Sequence, residues 1–410
     1  MLVMLRSPNA NFRCLLGLVG TEKDREETKV HNAGFQDHVK NTRLLNENVT
    51  EWLLGTVKIP DDGDHTARPD TYSIHARYLR CLLAPNYTVF SNTAAQNQWI
   101  KDQGQDPKSH YMVSLESPHN AIHLSLGGFY QEGIYNATPI RGANGDIGDN
   151  ETAGFDPIFW FHHCFIDYAF SMWQKLHNVT KRGDLTIIPK YPGTFLTEGG
   201  QPPKWPNGSP LDMTTPLYPF RKPNGRDYYT SEDVTDLTEL GIAYGTGSFH
   251  SLVGDEPAKS GKTPFEIINP KVSDPKKLAG SNPHGPNPFS LIKRVHNISR
   301  IQYDGSFVIR LYARGHDGTD VEVGREAILS RWNVKGCRNC QSHLEVDLHV
   351  PLDGATLKHL EGRAAPKGQK AEIQWVVKVH ARDKFHEFPI PRSGDNRGGE
   401  PYDGPLVENF

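Results

Sequence analysis

The sequence predicts a mainly α amino-terminal domain with long irregular loops, followed by a β-sandwich-like carboxy-terminal domain. Three observations predict it. Between Ser114 and His177 apolar residues recur at helical spacing in two pieces, each opened by capping residues. Residues 190 to 290 are broken by Pro and Gly throughout, and past about residue 285 the texture changes to short alternating runs. A chain of 410 residues, 36% hydrophobic and 10% aromatic, can fill two domain cores.

The first segment, 1–110, holds one helical stretch, GFQDHVKNTRLLNENVTEWLLG, with Val39, Leu44, Leu45, Val49, Leu53 and Leu54 spaced three to five apart; the remainder reads as polar and loop-like. The second segment, 111–284, opens with YMVSLESPHNAIHLSLGG. Ser117 and Pro118 there start a helix and Gly127 and Gly128 stop it. A glycine-rich connection leads to Asp156 and Pro157, a cap and first-turn pair opening a helix through FWFHHCFIDYAFSMWQKLH. KTPFEIINPKVSDPKKLAGSNPHGPNPF reads as a linker and sets a boundary near 285. In the third segment, 285–410, SFVIRLYAR, HLEVDLHV and AEIQWVVKVHA read as strands.

Composition excludes some partners. A net charge of −3 carries no footprint for nucleic acid or an anionic membrane surface. No apolar run approaches the roughly 20 residues of a membrane span, and MLVMLRSPNANFR breaks after five residues, so no signal peptide is expected. Cys14, Cys81, Cys164, Cys337 and Cys340 form no disulfide framework, which favours a reducing, cytoplasmic compartment; sequons at Asn48, Asn86, Asn136, Asn178 and Asn297 point the other way.

Histidine clustering carries the chemistry. His119 and His123, four apart, share one helical face, whereas His162 and His163 point about 100° apart, so one suits a ligand role and its neighbour an orienting or packing one. Three neutral imidazoles from two facing helices suit copper or zinc. Phe155, Phe159, Trp160, Phe161 and Phe165 would wall such a site from water and suit an aromatic ligand. A histidine on an apolar helix face is also an ordinary core residue, so spacing alone leaves a packed helix pair and a metal centre both open. The zinc-protease pattern HExxH is excluded because Asn120 stands where its Glu belongs.

SLESPHNAIH followed by GFDPIFWFHHCFID resembles the second-copper half of the type 3 copper proteins: tyrosinases, catechol oxidases and molluscan-type hemocyanins. The likeness runs through Asp156, Pro157, Phe159, Trp160, His163 and Asp167, and is nearest to fungal tyrosinases through VFSNTAAQNQWIKD and GCRNC. It implies a di-copper-centre helical fold with His119, His123 and His163 as copper ligands. It further implies Glu116 and Asn120 holding a water that helps deprotonate a phenol, Phe159 stacking over the bound ring, and Leu124 shaping access. The implied activity is o-hydroxylation of monophenols and oxidation of o-diphenols to o-quinones with dioxygen, the chemistry that leads to melanin. The 285–410 segment resembles the domain that caps the site in latent fungal enzymes and is removed on activation. Its pair Cys337 and Cys340 has the spacing of half a zinc site or a redox motif, with a structural role favoured. Tyr244 in GIAYGTG loosely matches a Tyr motif closing the core domain.

The resemblance spans residues 35 to 410. The family's first copper rests on three further histidines ending in a Phe-Pro-x-Trp-His-Arg-like stretch, which is not recognisable here. Upstream stand His31, His38, His65, His75 and His110, and SIHARYLR lacks the Phe-Pro and the Trp. Tyr168 follows Asp167 where many relatives have Arg. The alternative function is therefore a non-catalytic pseudoenzyme keeping a single three-His metal site.

Overall fold

A computed structural model describes residues 74–103, 111–126, 130–131, 135–136, 146–148, 150, 153–196, 208–244, 289–303, 305–331, 334–335, 343–366, 368–369, 372–381, 385–390 and 403–409. The helical half begins with α1 (Ile74–Cys81), α2 (Tyr87–Ser91) and α3 (Thr93–Gln103). Over residues 74–103 these helices correct the expectation of loop. Each is short with a narrow apolar face; Ile74, Tyr78 and Cys81, at spacings of four and three, are the signal that finds α1. The asparagine caps Asn86 and Asn92 accept the backbone N–H of Val89 and Ala95 at 3.0 and 2.7 Å.

α4 (Glu116–Leu126) and α5 (Pro157–His177) match the two capped helices read from the sequence. Asp156 caps α5 by accepting the Ile158 N–H at 3.0 Å, Pro157 fills its first turn, and Asn178 ends it in the left-handed conformation at φ 57°. The far half of α5 is fixed by aromatic packing. Trp173 stacks on Phe90 with ring centroids 4.8 Å apart and donates its indole N–H to the Ala84 carbonyl at 2.9 Å. Between the two helices lie β1 (Tyr130–Gln131), paired antiparallel with β2 (Tyr135–Asn136), and two short 3-10 turns. After α5, β3 (Pro216–Arg221) pairs with β4 (Tyr228–Thr230) inside the stretch broken by Pro and Gly. The helical stretch expected at 34–55 and nearly all of the linker lie outside the described residues.

The β half contains β5 (Phe289–Ser299), β6 (Phe307–Arg314), β7 (Asp320–Ile328), β8 (Glu345–Asp353), α6 (Gly354–Ala364), β9 (Gln374–Ala381), β10 (Phe385–Pro389) and β11 (Leu406–Asn409). Its strands form two antiparallel sheets, ordered β10-β9-β6-β7 and β11-β5-β8. Side chains of both sheets, among them Val295, Ile309, Leu311, Leu348, Val350 and Val377, bury themselves in one shared core. At Gly324 the sheets come so close that a Cβ would lie 2.5 Å from the Val350 side chain, so glycine is required there.

The two halves share packing. Val308 and Ala327 of the first sheet, with Leu329, belong to the core that also holds Ile74, Ile122 and Trp173. Tyr111 and Val113 cluster with Phe289 and Ile292. The buried Arg77 of α1 and Ser117 of α4 both donate to the Glu326 carboxylate of β7, at 2.6 and 2.7 Å.

Candidate metal centre

Two helices build the site. α4 sets His119 and His123 one turn apart on its inner face, and α5 brings His162 and His163 against them; one ligand nitrogen from each lies within 4.8 Å of those of the other three. The sequence reading allotted His162 an orienting or packing place. In the structure the His119 ring touches both α5 histidines, stacked on His162 at 5.0 Å and edge-on to His163 at 5.2 Å, while the two α5 rings lie 5.3 Å from each other. Two positions 100° apart on a helix can both reach one residue of a facing helix, because imidazole is long enough to close the gap.

The ring tautomers follow from their partners. His123 Nδ1 lies 2.5 Å from the Ile147 carbonyl, which can only accept, so Nδ1 carries the proton and Nε2 keeps its lone pair. His119 Nδ1 donates to the side-chain oxygen of Asn120 at 2.9 Å, again freeing Nε2. The two Nε2 atoms face each other at 3.1 Å. Two lone pairs at that distance repel unless a cation lies between them. Two nitrogens on one metal at roughly 2.0–2.1 Å stand roughly 2.9–3.3 Å apart.

Protonation is disfavoured throughout the cluster. Burial first, then the neighbouring imidazoles, push His123 down to about 3 and His162 to about 2. Burial and His119 push His163 to about 4, and burial also lowers His119, against Asn120 and Glu116. All four rings are therefore neutral near pH 7, the state a metal needs. Among the described residues neither ring nitrogen of the fully buried His162 makes a well-formed hydrogen bond, although the ring leans on the His119 backbone, and Nε2 of His163 has no partner. Facing Nε2 lone pairs on His119 and His123 beside the unpartnered Nε2 of His163 fit a copper ion.

The remaining site residues fall around this cluster. Phe159 lies against His163, ring centroids 4.1 Å apart, and 6.0 Å from the ring of His123. Leu124 is buried and belongs to the hydrophobic core. Glu116 accepts the Thr93 N–H at 2.8 Å, at the first turn of α3. The expected aromatic wall is only partly there: Phe155, Trp160 and Phe161 are 55%, 63% and 53% exposed, while Phe165 packs edge-on against Tyr78. A 21-residue helix can turn only one face to α4; Trp160 and Phe161 lie off it, and Phe155 precedes the helix. Tyr168 is buried against Tyr244, centroids 5.0 Å apart, with no partner for its hydroxyl among the described residues. The side chain of His75 and residues His31, His38, His65, His110, Cys14, Cys337 and Cys340 lie outside the described set.

The common central domain of tyrosinase matches residues 8–176, a stretch enclosing both histidine helices and reaching further upstream than the likeness read from sequence. A tyrosinase of Hahella sp. is 41% identical over 347 residues, covering 83% of this chain and 57% of the relative. One from Aspergillus oryzae is 38% identical over 359 residues, covering 80% and 60%. Among solved structures, a tyrosinase from Burkholderia thailandensis is 37% identical with a TM-score of 0.63, covering 96% of this chain and 67% of that one.

The chain belongs to the tyrosinase family. It spans 57–60% of the length of the two curated tyrosinases. Tyrosinase-family proteins bind copper, and the four-histidine cluster is where the described residues of this member could hold it.

Proposed function

We propose that this chain is a copper-dependent phenol oxidase that converts monophenols to catechols and o-diphenols to o-quinones, with dioxygen as oxidant. The overall balance is one phenol and one dioxygen to one o-quinone and one water. One observation carries the reading: the Nε2 lone pairs of His119 and His123, 3.1 Å apart with both Nδ1 atoms already donating, a geometry that calls for a cation. His119, His123 and His163 would hold copper, which supplies redox chemistry with dioxygen and lowers the pKa of a phenol at the site.

The chain's own groups prepare that centre. Asn120 and the Ile147 carbonyl fix the tautomers of the two α4 ligands. Phe159, half-buried against His163, would offer a ring face to the phenol. Glu116 and Asn120, one turn apart on α4, would position the water that takes the phenol proton, and Leu124 acts from the core by holding α4 in place.

A second reading, a pseudoenzyme with a single metal and no oxidase activity, is favoured by one fact: among the described residues one histidine cluster is found. Copper-loaded full chain is assayed for metal content and for quinone formation from a monophenol and a catechol. Quinone formed by the wild type and abolished in His163→Ala supports the oxidase; copper bound without turnover supports the second reading.

A further inference from the structure

A cavity of about 210 Å³ lies between α2, the 187–194 loop and β3. The loop is held against the helices: Thr88 accepts the Ile188 N–H at 2.8 Å, and the Asn92 amide donates to the Pro192 carbonyl at 3.2 Å. Gly193, at φ 81°, comes so near that a Cβ would lie 2.7 Å from the Asn92 amide nitrogen, so glycine is required there. Tyr87, in the wall, packs on Phe170 and Trp173 of α5 at ring-centroid distances of 5.6 and 6.4 Å. Trp173 stands about 15 Å of helix beyond His163, which separates this cavity from the histidine cluster.

The lining tells what fits. Tyr87, Ile187, Leu211 and Leu217 give apolar walls, while Asp212 and Ser231 bring polar atoms to one edge, where Pro216 of β3 pairs with Thr230 of β4. Oδ1 of Asp212 accepts from the Thr214 N–H and from the Thr214 and Thr215 hydroxyls, at 2.8, 2.7 and 3.3 Å. Those bonds, Thr214 first, hold its carboxyl below the ordinary carboxylate value. Its Oδ2 accepts no hydrogen bond among the described residues, and Ser231 makes no side-chain cap bond. Other hydroxyls of the lining are committed: Ser91 donates to the Thr88 carbonyl at 3.1 Å and Thr194 to the Tyr191 carbonyl at 2.7 Å. A carboxylate oxygen can only accept, so an occupant must donate. An apolar cavity of roughly 150 Å³ takes one benzene ring, so this one has room for a ring with small substituents. A sugar would press hydroxyls against Ile187 and Leu217, whereas a ring with its donors along one edge presses none.

We propose that this cavity is a second site, independent of metal, for a small o-diphenol: the ring lies among Tyr87, Ile187 and Leu217, and the adjacent hydroxyls meet Asp212 Oδ2 and the Ser231 hydroxyl. The site needs no copper, so it stands or falls apart from the oxidase reading.

The test uses the metal-free full chain under nitrogen, as wild type, Asp212→Asn, Leu217→Trp and His163→Ala, with circular dichroism as the folding control. Catechol, resorcinol and glucose are titrated in turn, with binding followed by nuclear magnetic resonance. Asp212→Asn keeps the oxygen that Thr214 and Thr215 use and replaces the other by a donor; Leu217→Trp fills the cavity. Catechol is expected to bind the wild type, resorcinol more weakly, and glucose not at all. Asp212→Asn should weaken catechol by about tenfold or more, the scale of a hydrogen bond to a charged acceptor. Leu217→Trp should abolish binding, and His163→Ala should leave it unchanged. No catechol on the wild type overturns the proposal, and so does glucose bound as tightly as catechol. Catechol binding kept in whichever cavity variant folds also overturns it; if that binding is lost in His163→Ala, the diphenol sits at the histidines and the oxidase reading stands.

Discussion

Arg77 and Glu326, 249 residues apart in sequence, form a buried ion pair at 2.6 Å that ties the first helix to the β half. Ser117, two residues before His119, donates to the other oxygen of the same carboxylate at 2.7 Å. Arg77 also donates to the Arg325 carbonyl. The start of the ligand helix is therefore anchored on the β sheet, and the β half bears on the geometry of the histidines.

We predict that Glu326→Ala destabilises the protein by about 3–5 kcal/mol, because it strands a buried guanidinium and a buried serine hydroxyl. Glu326→Gln, which keeps an acceptor, should lose less. Thermal unfolding checks this, and a change below about 1 kcal/mol for the alanine variant would show that Arg77 finds other support.

The family likeness implies a carboxy-terminal domain that is removed on activation, but the packing here points elsewhere. Val308, Ala327 and Leu329 of the β half are 1%, 1% and 9% exposed and belong to the helical core. We predict that the chain cut off before Phe289 fails to fold: it should be recovered as aggregate, or as a soluble form without a cooperative melt. A truncated chain that melts cooperatively and binds copper like the full one would refute this.

Much of the site was legible from sequence because its elements are local. The caps Asp156 and Asn178, the Pro157 turn and the four-residue histidine spacing are written within two short stretches, and α4 and α5 form where those signals place them. α2 was not legible, since its short apolar face gains meaning only where Tyr87 and Phe90 meet Phe170 and Trp173 of α5. The closeness of His162 to the cluster was not legible for a related reason. Angular position on one helix says nothing about a facing ring that touches two neighbours at once. The β7 strand DVEVGREAI was also missed, as Gly324 and four charges mask an alternation that the structure uses on both faces.

Asn120 gives a test of the support behind the ligands. Its side-chain oxygen accepts from His119 Nδ1 at 2.9 Å and is itself buried. We predict that Asn120→Ala weakens copper binding by roughly 10–100-fold, as loss of a group orienting a metal-bound histidine typically does. Asn120→Asp, which keeps the acceptor, should recover most of it. Chelator competition measures both, and equal affinity in the alanine variant would mean that α4 packing alone orients the ring.

Acid should loosen the β half through two histidines far from the metal cluster in sequence. Burial pushes His349 of β8 and His380 of β9 down to about 4 from an ordinary value of 6.5, with Arg294 and Lys101 also lowering His349 and Asp347 and Glu408 opposing. Above pH 6.5 folded and unfolded chains both hold these imidazoles neutral, and stability is complete. As pH falls from 6.5 towards 4 the unfolded chain takes up protons that the folded chain refuses, so stability drops across that window, by about 3 kcal/mol per histidine at its lower end. We predict that urea unfolding of the metal-free protein shows this fall between pH 7.5 and 4.5, and that His380→Leu removes about half of what the pair contributes. An identical pH slope in wild type and His380→Leu would mean that His380 takes up its proton in the folded state as readily as in the unfolded one.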